Sequence, residues 1–135
     1  MCNFKAINTS LGLLRGKDCI SFCSLNLSQN STLVFEGKIK RSNLDSPGVS
    51  RETSLETLPL KLEFLGVIAY KVTEFETWST QAEKALEQAE SFIEMLDSPW
   101  IDSLCANKVN CNRHYLLKTS NLVVEVICRQ FKWTA

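Results

Sequence analysis

The stretch 77-TWSTQAEKALEQAESFIEMLD-97 decides how this chain is read. Trp78, Ala82, Ala85, Leu86, Ala89, Phe92, Ile93 and Leu96 recur at helical spacing, while Glu83, Glu87, Glu90 and Glu94 fall on the other face. Ala, Glu, Gln and Leu all favour helix. The pattern predicts one long amphipathic helix over 77–97. Thr80 with Glu83 makes a capping box at its start, or Thr77 is the cap if Trp78 belongs to the stripe. Ser98-Pro99 ends it and opens a short second helix through Trp100, Ile101 and Leu104, with proline at a first helical position.

Outward from this helix the period is two in both directions. From Pro59, the residues Leu60, Leu62, Phe64, Ile68, Tyr70 and Val72 share one parity and Lys61, Glu63, Lys71 and Thr73 the other, which predicts a strand with a buried face. Such a strand would extend about 43 Å, longer than the diameter of about 36 Å expected of a compact chain this size. A bend or bulge is therefore expected near Gly66. On the C-terminal side, RHYLLKT (113–119), a Ser120-Asn121 turn and LVVEVICRQFKW (122–133) read as a closing hairpin. Its last strand is apolar on both parities, as strands inside a sheet are.

Nearer the amino terminus, CISFCSLNLS (19–28) alternates with a phase shift near Cys23, and TLVFEGKIK (32–40) puts Leu33, Phe35 and Ile39 on one face. A Gln29-Asn30-Ser31 turn joins them into a hairpin. Residues 1–17 and 41–58 show no period and read as irregular. The resulting expectation is an α+β fold of one domain over 1–135. It has a curled antiparallel sheet of about five strands in the order β-β-β-α-short α-β-β, with one long helix packed on or across it.

The chain has 135 residues, is 44% hydrophobic, and has 15 basic and 15 acidic residues. This excludes a disordered tail, a collagen-like fibre and a highly charged polyanion binder. Neutrality hides a pattern: residues 1–44 hold six bases against two acids, 45–104 four against twelve, and 105–135 five against one. Neither a secretory apolar core at the amino terminus nor an apolar run long enough to span a membrane is present. The six cysteines are accordingly expected to be reduced thiols in a cytoplasmic protein.

Several constellations invite a chemical reading. The single histidine, His114, follows Cys105 and Cys111, but a thiol–imidazole pair needs a geometry that spacing does not supply. A zinc set of Cys19, Cys23, Cys111 and His114 is disfavoured, because Cys19 and Cys23 in one strand lie about 13 Å apart. No metal and no cofactor are expected. Basic and aromatic residues alternate at 129–133, yet the broader basic footprint of a nucleic-acid binder is missing. The leading reading is a non-catalytic module that binds a protein partner through the acidic helix face (Glu83, Glu87, Glu90, Glu94) or a sheet edge. The alternative is a small-molecule pocket or small enzyme between sheet and helix, with His114, Tyr115, Tyr70 and Glu125 as polar contacts.

Overall fold

Alternating burial, not helical periodicity, organises the chain. The computed structural model describes residues 3–9, 12–14, 19–40, 57–104 and 112–134. Most of the loop expected over 41–58 lies outside them, as do Cys2, Cys105 and Cys111. The elements are β1 (Phe4–Ala6), β2 (Ile20–Leu27), β3 (Leu33–Lys40), β4 (Thr57–Leu65), β5 (Ala69–Glu74), α1 (Phe75–Gln81), α2 (Lys84–Glu87), β6 (Phe92–Met95), α3 (Pro99–Leu104), β7 (Arg113–Lys118), β8 (Leu122–Cys128) and β9 (Gln130–Thr134). They form two antiparallel sheets, ordered β1-β6-β7-β8-β5 and β2-β3-β4-β9.

The sheets pack face to face. Leu33, Phe35, Ile39, Leu60, Leu62 and Phe64 of the four-stranded sheet meet Phe92, Tyr115, Leu117, Val124, Val126 and Cys128 of the five-stranded one in a continuous core. At its centre Phe92 touches Phe64, Tyr115, Phe131 and Trp133, with ring centroids 5.0 to 6.4 Å apart. A second, smaller core lies on the outer face of the five-stranded sheet. There Phe75, Trp78 and Leu86 of the short helices cover Ile93, Met95, Leu116 and Val123.

This architecture corrects the α+β expectation. The 77–97 stretch is not one helix but two short helices and a strand, and the single curled sheet is two sheets. Ala82 (ψ 151°) and Glu83 (ψ 145°) are extended and break the helix after about two turns. After α2 the Lys118 ammonium donates to the carbonyls of Leu86 (2.9 Å), Glu87 (3.3 Å) and Ala89. A continuing helix would need those acceptors for the amides four residues on. The Ser91 amide instead donates to Leu14 at 2.8 Å. Beyond it, Phe92 enters the core between the sheets while Ile93 enters the outer one. Neighbours on opposite faces have period two, so burial on both sides of the sheet overrides helix propensity here.

Two long ribbons were legible as single strands, and both fold at one corner. The run from 60 to 72 divides at Gly66, which has φ +69°, and the run from 122 to 133 divides at Arg129. β4 pairs with β9 in one sheet, and β5 pairs with β8 in the other. At the corner the Arg129 amide donates to Leu65 (3.0 Å), and the Arg129 side chain lies where a Cβ on residue 66 would sit, 3.0 to 3.4 Å away. Only glycine meets both demands without strain. The expected β2–β3 hairpin forms, and its register shifts between Phe22 and Ser24, where the alternation changes phase. Within 1–17, β1 pairs with β6.

Exposed Lys38, Lys40, Lys61 and Lys132 share the solvent face of the four-stranded sheet with Glu36 and Glu63, and exposed Glu83 and Glu87 share the helical layer over the other sheet with Lys84. Folding therefore interleaves the basic and acidic segments.

Candidate functional site

Two regions contain groups that a purely structural reading of the sequence does not foresee. The first is a polar relay on the outer face of the five-stranded sheet. Ser98 caps α3, its Oγ accepting the Ile101 amide at 3.1 Å, and Pro99 occupies the first helical position. The same Oγ lies 2.8 Å from His114 Nδ1, and His114 Nε2 lies 3.0 Å from Glu125 Oε1. The Glu125 carboxylate can only accept, so Nε2 carries the hydrogen, and in the neutral imidazole Nδ1 then accepts from the Ser98 hydroxyl. Lys71 Nζ sits 3.5 Å from Glu125 Oε2 and 4.8 Å from the centroid of Trp100, whose ring stands edge-on to His114.

The residue types are those of a serine–histidine–acid triad, but here the serine meets Nδ1 and the carboxylate Nε2, and the hydroxyl is also engaged as the cap of α3. His114 is 6% exposed and lies beneath Trp100. The relay fastens α3 to the sheet. At Glu125 burial pushes the carboxyl upward, but the His114 hydrogen bond and the Lys71 charge together outweigh it and hold the pKa below the ordinary carboxylate range.

A folded value below the unfolded one adds stability above the unfolded pKa, and that stability is lost as pH falls through the folded value. Glu125→Gln is expected to cost about 2 kcal/mol at neutral pH, with the difference from wild type closing as acid protonates Glu125. Urea midpoints measured at neutral pH and below the ordinary carboxylate pKa check this; a gap that stays constant would count against it.

The four residues proposed as pocket contacts do not converge. His114 and Glu125 share the outer face of the sheet. Tyr115 points into the core between the sheets, and Tyr70 is level with it on that same face, one row through Val126. Burial pushes the Tyr115 phenol up to about 12, helped by the Glu94 carboxylate. The four glutamates do not form a row either. Glu83 precedes α2, Glu87 lies within it and Glu90 follows it. Glu94 is buried in β6, held by Arg113 at 3.1 Å and Lys5 at 3.7 Å. Ser98 and Trp100 were missed as partners of His114, and Lys71 as a partner of Glu125. The Ser-Pro helix start was visible in sequence, but its contact with a strand sixteen residues on was not.

The second region is the outer edge of β5. The carbonyls of Asn121 and Ile127 both accept amides from the β5 side, from Phe75 (2.8 Å) and Ile68 (2.9 Å). Antiparallel bonding alternates, so odd-numbered residues of β5 exchange bonds with β8, and the N–H and C=O groups of Tyr70, Val72 and Glu74 point away from it. Among the described residues no strand pairs with that side. Ile68, Tyr70 and Val72, which the alternation assigned to a buried face, are 50%, 40% and 42% exposed. Beside them Leu27, Ser28, Gln29 and Val67 line a hollow that ends at Tyr70.

Comparison with protein-family models, with curated proteins and with solved structures found no match. No helix among the described residues is long and apolar enough to cross a membrane.

Proposed function

We propose that this chain is a non-catalytic protein-binding module that accepts an extended strand along β5. The observation that carries this is an unpaired edge, regular over six residues, whose outward peptide groups are flanked by exposed Tyr70 and Val72. The other edges are blunted in the ways that discourage pairing. β1 has three residues, β2 is interrupted by a bulge, and β9 carries exposed Lys132 between Phe131 and Trp133. Lys71 does not guard β5, because its ammonium is held over Trp100 and Glu125. Added strands gain affinity from main-chain hydrogen bonds and selectivity from alternate side chains. The free thiols of Cys23 and Cys128 suit a reducing compartment such as the cytoplasm.

Val72→Pro tests the reading. Its missing N–H points outward, so the β5–β8 ladder stays whole while an incoming strand loses a donor and meets the ring. Proteins recovered from source-cell lysate on the immobilised chain are expected to fall about tenfold with the variant, equivalent to about 1.4 kcal/mol, at unchanged circular dichroism. Equal recovery by the two proteins would sink the proposal.

A further inference from the structure

Resting on the strand-addition reading, we infer that the strand β5 accepts carries a basic residue followed at the second and fourth positions by apolar ones, and runs antiparallel with its base against Glu74. Five glutamates stand on the described strands. Four of them meet a base on the adjoining strand: Glu94 lies 3.1 Å from Arg113 and 3.7 Å from Lys5, Glu125 lies 3.5 Å from Lys71, and Glu36 and Glu63 sit directly opposite Lys61 and Lys132. Opposite charges so placed stabilise a sheet. Glu74 is exposed, and its partner on β8 is Leu122. Its carboxylate makes no capping bond to α1, the helix that follows it. Its other side is the open edge, so the base that each of the other strand carboxylates has is left here to an added strand.

The surroundings of Glu74 suit a cation. Glu76, exposed in the first turn of α1, and the turn residues Ser120 and Asn121 line a hollow with it. A guanidinium or ammonium there has two carboxylates, a hydroxyl and an amide oxygen to donate to. Lys71, the base of β5 itself, is held by Glu125 and Trp100 instead.

Alternation sets the rest of the pattern. Tyr70 and Val72 share the face of Glu74, and both are exposed. On an antiparallel strand the residue opposite Val72 follows the base by two positions, and the residue opposite Tyr70 follows it by four. Apolar side chains at those places cover Val72 and Tyr70, and the second abuts the hollow that Leu27, Val67 and Ile68 line. The ladder uses the outward peptide groups of Tyr70 and Val72 alone, because the amides of Val67 and Ile68 are already given to Ser31 and Ile127. Antiparallel pairing is the more stable per residue, and the paired strands of both sheets all use it.

Fluorescence anisotropy of the full chain with a fluorescein-labelled peptide, Ser-Arg-Thr-Val-Thr-Val-Ser-amide, is expected to show saturable binding that Val72→Pro abolishes. Glutamate in place of the peptide's arginine is expected to weaken binding by about tenfold or more. Glu74→Lys is expected to reverse that preference and make the glutamate peptide the tighter ligand, a gain that a merely unfolded variant cannot give. The peptide with its sequence reversed is expected to bind more weakly than the original. Equal affinity for the arginine and glutamate peptides, or a preference that Glu74→Lys leaves unchanged, overturns the base; tighter binding of the reversed peptide overturns the direction. In either case, loss of binding with Val72→Pro leaves strand addition standing. No binding of any of these peptides up to millimolar concentration, with Val72-dependent recovery from lysate intact, overturns the chemistry named here and spares the reading it rests on.

Discussion

Phe92→Ala is expected to lower the free energy of unfolding by about 4 kcal/mol, whereas Leu96→Ala, from the same apparent helical stripe, changes it by less than about 0.5 kcal/mol. Phe92 is fully buried and Leu96 is 55% exposed. The ring is also poorly placed for its neighbours to close over a vacancy. Phe64 and Phe131 come from one sheet and Tyr115 from the other, and each is held by a backbone ladder. The residual cavity adds to the lost transfer energy. Urea unfolding of both variants measures the contrast, and similar losses at the two positions would restore the helical reading of 77–97.

Lys118→Met is the second large effect, with a distinctive pH signature. At neutral pH the variant is expected to lose about 2 kcal/mol, because the carbonyls of Leu86, Glu87 and Ala89 lose their donor. Burial, only partly offset by the charges of Glu90 and Glu87, pulls the Lys118 pKa from 10.5 down to about 8. Between those values the unfolded chain binds the extra proton, so Lys118 makes the fold more stable as pH rises through that window.

Cys128 and Tyr115 act in the opposite sense. Burial pushes each up to about 12 from 9.0 and 10.0, so the folded state keeps its protons longer and stability falls as the unfolded groups ionise. Subtracting the variant from wild type removes their contribution. The difference in unfolding free energy is expected to widen by up to about 3 kcal/mol between pH 8 and 10.5. Parallel pH profiles for the two proteins would show that Lys118 is not the group responsible.

What was legible in the sequence follows from which interactions are local. The β2–β3 hairpin, its irregularity at Cys23 and the need for a bend near Gly66 came from alternation and length. The one long helix did not survive, because what ends it is distant: Lys118 caps α2 from β7, and β1 and β7 claim residues 92–95 as a strand between them. A short apolar run such as Phe92-Ile93-Glu94-Met95 fits either period, and tertiary partners choose. Ile68, Tyr70 and Val72 misled for the same reason. Their parity matches that of buried Leu60, Leu62 and Phe64, but the corner at Gly66 moves them into another sheet and onto its edge. His114 and Glu125 stand out in the sequence as polar residues among apolar neighbours, but their pairing and the capping role of Ser98 exist only once β7, β8 and α3 are brought together.

The shared corner of Gly66 and Arg129 has a consequence for synthesis on the ribosome. β4 and β5 leave the exit tunnel before β9 and β8, the strands that complete their pairing, have been made. Until then the β2–β3–β4 meander shows an open edge and an uncovered apolar face, the kind of surface on which nascent chains associate wrongly. β8 completes the five-stranded sheet and β9, beginning two residues further on, the four-stranded one. The nascent chain therefore closes its two sheets almost together, around the corner they share.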